Sequence, residues 1–381
     1  PYTCLHYDSS LPIPDNASVE QQELYEFAEK YNAAQKDECH KIQGSFTFEQ
    51  GKQYVYCCVD DVLVHKQLKK VIKKNGTECI KDISKWVYHS VAYIGIDAAD
   101  TKRVTTEEST EEFISDDNEP ESLDFHTMYI LEADSQEKVY AAVLAFLIRN
   151  KLNDRYLVLF TDGEESLKTI ADRVFSGWPH CMYLDYYHVK ERMTEFCSKV
   201  FKPGKMVDDK FEPEYFKNGK VKKSSIVYIT KSKYYLRELM SMLWAGNVKG
   251  ALKYLDSLQG SPDIKANGEE VLEAMKGYLK RKMDRLPCFA LRAHLHLRNT
   301  SNSVENANNV LVAKRQKHKG RSWLEYGSFA VSGATLLFQN NEAKEYFKGE
   351  EIPFVLRAST KERGHIDCLE WIHDADVKMS I

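Results

Sequence analysis

Two apolar runs, each closed by an aspartate, constrain this chain more than anything else in it. Gln53-Tyr54-Val55-Tyr56-Cys57-Cys58-Val59 leads into Asp60, and Tyr156-Leu157-Val158-Leu159-Phe160-Thr161 leads into Asp162. Both are rich in β-branched and aromatic residues and read as buried strands. The two aspartates lie 102 positions apart (162 − 60). Gly163 and a helical pattern follow the second at once, which is how a parallel strand feeds a crossover helix.

The flanking pattern supplies the order of elements. Ser18 and Gln21 form a capping-box pattern before an amphipathic stretch, Val19 to Lys36, with Leu24, Phe27, Ala28 and Tyr31 on one face. The first strand ends at Asp60-Asp61. Trp86 to Ile96 reads as a second strand and His126 to Leu131 as a third, with an acidic, solvated loop at Glu107 to Asp124 between them. Ser135 caps a helix from about Gln136 to Arg149, with Val139, Val143, Phe146 and Leu147 on one face. The strand ending at Asp162 follows, then a helix, Glu165 to Phe175, then a fifth buried strand, His180 to His188.

From Val189 to Arg298 the periodicity is helical, clearest at Tyr234–Leu243, Val248–Leu258 and Glu269–Met283. Lys202 to Lys223 reads as a long polar loop. The order β-β-β-α-β-α-β is that of a ribonuclease-H-like domain. Short connections make the first three strands antiparallel neighbours, and a right-handed crossover lays the fourth parallel to the first. The expected fold is thus α/β, a ribonuclease-H-like mixed five-stranded sheet with an inserted all-α domain. Its divisions are an N-terminal helical segment (1–45), the first part of the sheet domain (46–190), the helical insertion (191–298), a C-terminal helical part of the sheet domain (299–345) and a tail (346–381).

In that arrangement Asp60 and Asp162 stand side by side at a topological switch point, where open α/β sheets bind ligands. Asp97 and Asp100 follow the antiparallel second strand and project from the opposite edge. Strand alternation turns Asp61 to the other face, which makes it the fallback for Asp60. Glu305 opens a helix running from Val304 to about Gln316, after N-cap candidates at Thr300 to Ser303. Two Mg²⁺ ions (or Mn²⁺) held by carboxylates can cut and join phosphodiesters. Lys314, Arg315, Lys317, Lys319 and Arg321 fall within eight residues downstream, suited to neutralising DNA phosphates. Trp323 either packs beneath this strip or stacks on a base.

Composition sets limits on the rest. A chain of 381 residues can bury a large core, and its net charge of −4 does not by itself point to nucleic acid; the segregation of acid and base does. Nine cysteines without a CxxC pair suggest reduced thiols in a cytosolic protein. Cys4-Leu5-His6 is a weak metal candidate. No apolar run approaches the roughly 20 residues needed to span a bilayer, and no signal peptide is legible. A start at Pro1 reads as the trimmed catalytic core of something longer.

Tyr54–Gln67 (YVYCCVDDVLVHKQ), Leu159–Gly163 (LFTDG), Leu184–His188 (LDYYH), Leu297–Asn308 (LRNTSNSVENAN) and Val312–Trp323 (VAKRQKHKGRSW) together resemble prokaryotic DDE insertion-sequence transposases of the ISLre type. Asp185-Tyr-Tyr-His188 is similar to the C/DxxH motif of Mutator-like and hAT-like transposases, which insert a helical domain before the helix bearing the glutamate. The 143-position gap here (305 − 162) agrees with such an insertion. The resemblance implies Asp60, Asp162 and Glu305 as a metal-binding catalytic triad, with Asp185 and His188 structural or near the metal. A second reading has Asp185 and His188 simply hydrogen-bonding each other in the core. Also implied are element ends and target DNA as partners, a homo-oligomer on DNA and a nucleoid-associated cytoplasmic location. Two rival functions remain open: a ribonuclease-H-like nuclease or resolvase without strand transfer, and a DNA-binding protein that no longer cuts.

Overall fold

Tyr54 to Val59, joined to the alternating Val62 and Val64, forms the strand around which the molecule is built. In the computed structural model this strand, β3 (Tyr54–His65), has a neighbour on each side. The structure describes residues 4–35, 37–49, 54–68, 70–72, 76, 78–80, 84–97, 125–215, 220–318, 321–352, 354 and 357–358. The acidic loop 107–124, Asp100, Lys319 and most of the tail lie outside them.

Strands are numbered in chain order: β1 (Cys4–Asp8), β2 (Ser45–Glu49), β3, β4 (Lys70–Ile72), β5 (Glu78–Ile80), β6 (Trp86–Asp97), β7 (Phe125–Ala133), β8 (Tyr156–Thr161), β9 (His180–Leu184), β10 (Lys205–Val207), β11 (Tyr228–Thr230) and β12 (Arg357–Ala358). The central sheet has the order β12-β7-β6-β3-β8-β9. β6 is antiparallel to β3 and to β7, while β8 runs parallel to β3 and to β9. This is the ribonuclease-H-like topology, with the short strand β12 added antiparallel at the β7 edge.

Both faces of the sheet are covered. Val55, Cys57 and Val59 pack with Leu157 and Leu159 under α2 (Gln136–Arg149) and α3 (Glu165–Val174), through Val139, Val143, Phe146, Leu147, Leu167 and Ala171. Ser135 caps α2 as its sequence predicts. The opposite face, Tyr54, Tyr56, Cys58, Val62 and Val64, shares one continuous core with α1 (Val19–Ala34) and with the segment between β9 and residue 298. That segment holds α4 (Tyr186–Val200), α5 (Lys231–Trp244), α6 (Val248–Ser257), α7 (Gly268–Lys282) and α8 (Phe289–His294). Gly95 of β6 is required where Tyr56 crosses it, since a Cβ there would lie 2.3 Å from Tyr56 Cε1. Among the described residues no helix is long and apolar enough to cross a membrane.

Several expectations need correction. The first strand does not stop at Asp60-Asp61 but runs on to His65, because β6 pairs it throughout, from Tyr56↔Gly95 to His65↔Trp86. The fifth strand ends at Leu184, and Asp185 begins α4 rather than extending the sheet. The insertion is not all-α: β10 and β11 pair antiparallel, and β10 falls in the stretch read as a loop. The N-terminal segment adds β1, paired antiparallel with β2. Gln21 takes no part in a reciprocal capping box; its side-chain amide pairs with the backbone of His6 and docks β1 on α1.

Candidate active site

Asp60 sits mid-strand, opposite Val91 of β6 and just beyond the last β3–β8 pair, Cys58↔Phe160. β8 ends one residue before Asp162, so the two aspartates come level by register alone. Asp60 Oδ1 accepts from the Asp61 amide (2.8 Å) and Oδ2 from Asn308 Nδ2 (2.7 Å). Burial raises the Asp60 pKa; the Asp61 amide pulls it back, and the negative charge of Asp162 pushes it up again. Asp162 is exposed and accepts from the Glu164 amide at 3.0 Å. Gly163 turns the chain there with φ +98°, a conformation that suits glycine. Lys282 of α7 donates to the Gly163 carbonyl and to Glu165, so the insertion pins this turn. Lys282 and Arg285 hold the Glu165 pKa down to about 2.

Glu305 arrives on α9 (Asn302–Asn308), which crosses β3 and β6 and continues through a π-helical turn (Asn309–Ala313) to Gln316. π-turns are frequent at functional sites. Glu305 Oε1 lies 3.2 Å from His188 Nε2. The bond to Glu305 raises the His188 pKa to about 9 against the opposing effect of burial, with Asp185 and Asp162 adding to the rise. The same bond lowers the pKa of Glu305. His188 thus stands as a cation among carboxylates from three elements. Its folded pKa is raised above the ordinary 6.5, so its stabilising effect is complete below pH 6.5 and disappears as pH climbs through about 9. With divalent cations chelated, urea unfolding from pH 6 to 10 should therefore show a loss of stability that His188→Gln lacks. Parallel curves for the two proteins would remove the ion pair.

Asp185 and His188 do not bond through their side chains. Asp185, fully buried, caps α4 by accepting from the His188 amide (3.0 Å) and also accepts from the Ser301 amide just before α9. Burial raises its pKa, and Ser301 and His188 offset part of the rise. The expected N-cap at Ser301 makes no side-chain capping bond; its backbone is held from across the site. Asp185→Ala removes a cap worth roughly 1 kcal/mol and orphans a buried amide at a further cost of about 1–3 kcal/mol. Urea denaturation should show about 2–4 kcal/mol lost, and a loss under 1 kcal/mol would contradict this arrangement.

The remaining candidates fall as follows. Asp61 faces the other side of the sheet, held by Ser90 Oγ (2.6 Å) and Gln136 Nε2 (2.8 Å). The backbone of Asp97 lies at the opposite end of β6. His6 bonds the hydroxyls of Ser45 and Thr47. Lys314, Arg315, Lys317 and Arg321 are exposed, whereas Gln316 between them is buried and bonded to Ser328. Trp323 is half-buried, its indole N–H donating to the Gln316 carbonyl at 3.2 Å, so it packs beneath the strip. Sequence reading missed Asn308 and Arg298. Asn308 lies three residues after Glu305, a helical spacing that puts both on one face. Arg298 lies over the Tyr56 ring and donates to Ser303 Oγ at 2.8 Å.

The donor chemistry suits a hard divalent cation. Asp60 and Asp162 are oxygen donors that repel each other, and Asn308 Oδ1 beside Asp60 is buried without a hydrogen-bond partner among the described residues. Among those residues, however, no group of three or more His, Cys, Asp or Glu side chains is gathered in metal-binding geometry. Glu305 is engaged by His188 instead.

No protein-family model matches the chain, and no curated protein does. Among solved structures, the Drosophila P element transposase strand transfer complex is similar over 94% of this chain and 79% of its own, at 10% identity and a TM-score of 0.20. A superposition at that score adds nothing to the topology described above.

Proposed function

We propose that this chain is a DDE-type DNA transposase, cutting DNA and joining the freed 3′ end to a target by metal-dependent phosphoryl transfer. The observation that carries the proposal is the juxtaposition of Asp60 and Asp162 on adjacent parallel strands. Asp162 lies near enough to raise the pKa of Asp60, and the helix bearing Glu305 crosses β3, the strand of Asp60. Asp60 and Asp162 would hold a Mg²⁺ or Mn²⁺ pair, with Glu305 joining on leaving His188. Bound there, the ions would activate water or a DNA 3′-hydroxyl and stabilise the departing oxygen. The chain's own groups bind and orient: Asn308 fixes one Asp60 oxygen, Lys282 sets the Asp162 turn, and Lys314, Arg315, Lys317 and Arg321 face the phosphates.

One observation favours a second reading, a DNA-binding protein that no longer cuts. Glu305 is paired with His188 rather than gathered with the two aspartates. Incubating the purified chain with Mg²⁺ and labelled duplex carrying the sequences that flank its own reading frame separates the two. Nicked and joined products support the transposase, nicks alone a nuclease, and retained DNA with neither the second reading.

A further inference from the structure

The hairpin of β3 and β6 stands beyond the strand that ends at Asp162. β8 accompanies β3 only as far as Cys58, while β6 pairs with β3 to His65. On the α2 face, Asp61 is the last residue under cover, through its bond to Gln136 at the start of α2. Past it the register sets Leu63 against Tyr88 and His65 against Trp86, all four on this uncovered face. Leu63 is 37% exposed, Trp86 39% and Tyr88 48%. The His65 ring stacks on Trp86 with centroids 4.3 Å apart. The reverse face of the same hairpin is closed, with Val62, Val64, Val87 and His89 buried. Side chains this large are therefore left open on one side only, and they begin three residues, about 10 Å, past Asp60.

The charge beside them selects the occupant. Lys66 and Lys85 close the hairpin, the Lys66 amide donating to the Lys85 carbonyl at 2.9 Å. The segment 66–85 carries Lys66, Lys69, Lys70, Lys73, Lys74, Lys81 and Lys85 against only Glu78 and Asp82, a net +5 (7 − 2) in a chain of net −4. Lys66 pairs with Glu325 at 3.0 Å, while Lys85 stands exposed at the end of the hairpin next to Trp86. An open aromatic face joined to a segment this basic in sequence matches a polyanion whose bases are free to stack. Duplex bases have their faces covered by neighbours; unpaired bases do not.

We infer that Leu63, His65, Trp86 and Tyr88 form a stacking platform for unpaired DNA bases beside the cut, with Lys85 at the end of the hairpin attracting the phosphates of the same strand. This rests on the proposed DNA-cutting function and names the part of the substrate that the hairpin reads.

The test measures fluorescence anisotropy of the full chain on two labelled probes, a blunt duplex and the same duplex with a ten-nucleotide single-stranded overhang. Trp86→Ala/Tyr88→Ala should weaken overhang binding about tenfold while blunt-duplex binding changes less than about twofold. Trp86→Phe/Tyr88→Phe should retain overhang binding to within about threefold, because the π-faces remain. The alanine variant should melt with the wild type, since both rings are substantially exposed. Overhang binding equal to wild type in the alanine variant would overturn the platform and leave the proposed function standing. So would loss of self-association in sedimentation without any change on the overhang, which would assign the face to a second copy of the chain. A wild-type chain that binds neither probe overturns both readings.

Discussion

Asp60→Ala, Asp162→Ala and Glu305→Ala should each abolish Mg²⁺-dependent cleavage and joining, by roughly a thousandfold or more, while the protein stays folded. Bound metal contributes several kcal/mol of charge stabilisation to the transition state, and each 1.36 kcal/mol is a factor of ten. None of the three carboxylates belongs to the apolar core. Asp60 adds a sign that separates a functional group from a structural one. Its pKa is raised by burial and by Asp162, so the folded state resists its ionisation. Its ionised form therefore destabilises the fold increasingly as pH rises from the ordinary carboxylate range through the raised value. Asp60→Asn keeps an oxygen for Asn308 or the Asp61 amide and removes that charge. The metal-free Asn variant should thus melt at or above wild type at pH 7, an advantage that shrinks as pH falls and the wild-type carboxyl becomes neutral, yet be inactive. Full cleavage activity in any of the three alanine variants would strike that residue from the site.

The parts legible in the sequence are those set by local chemistry. Ser135 before an apolar helical period gave the start of α2, and an apolar strand ending at Asp162-Gly163 gave both the end of β8 and the turn. The strand order followed from short connections and the handedness of crossovers. What could not be read was decided by partners far along the chain. Asp60-Asp61 looks like a strand end because adjacent carboxylates resist burial. Ser90 and Gln136 hold Asp61 on one face and Asn308 holds Asp60 on the other, so the strand continues. Leu184 to His188 looks like strand because its aromatic residues favour sheets. A signal for the helix was nonetheless present, an aspartate at the N-cap position. The pairing of β10 with β11 joins residues separated by a polar stretch that gives no local hint of register.

The candidate site divides along the same line. Asp60 and Asp162 were readable as neighbours because a parallel register needs only the strands to be identified. The distance from Glu305 to His188 was not readable, because it depends on Asp185 anchoring both the start of α4 and the approach to α9. The basic strip was readable as charge. Its support was not: Gln316 and Trp323 sit within or beside the strip and fasten it through Ser328 and a backbone carbonyl.

The largest loss of stability should come from a residue outside the site, Arg292. Its guanidinium is completely buried in α8, bonded to Glu49 at the end of β2 and donating twice to the Arg298 carbonyl. It also lies 4.5 Å from the centre of the Tyr183 ring in β9 and 5.7 Å from that of Phe160 in β8. Burial works against its charge, but Glu49 foremost, with Tyr183, Cys181 and Tyr54, outweighs it and its pKa is raised. One side chain therefore ties the entry to β3, the parallel strands β8 and β9 and the loop leading to Ser301. Arg292→Ala leaves Glu49 as a buried, unpaired carboxylate, an arrangement that costs about 3–5 kcal/mol against a typical total stability of 5–15 kcal/mol. The variant should unfold at much lower urea and accumulate poorly. The double variant Glu49→Leu/Arg292→Met, with two apolar groups of similar bulk and no stranded charge, should recover most of the loss. A double-mutant cycle tests this directly. If Arg292→Ala costs less than about 1 kcal/mol, the pair is not what holds these elements together. Recovery of stability without recovery of cleavage would place the value of Arg292 in the Arg298 carbonyl it fixes, and so in the path of the chain toward Glu305.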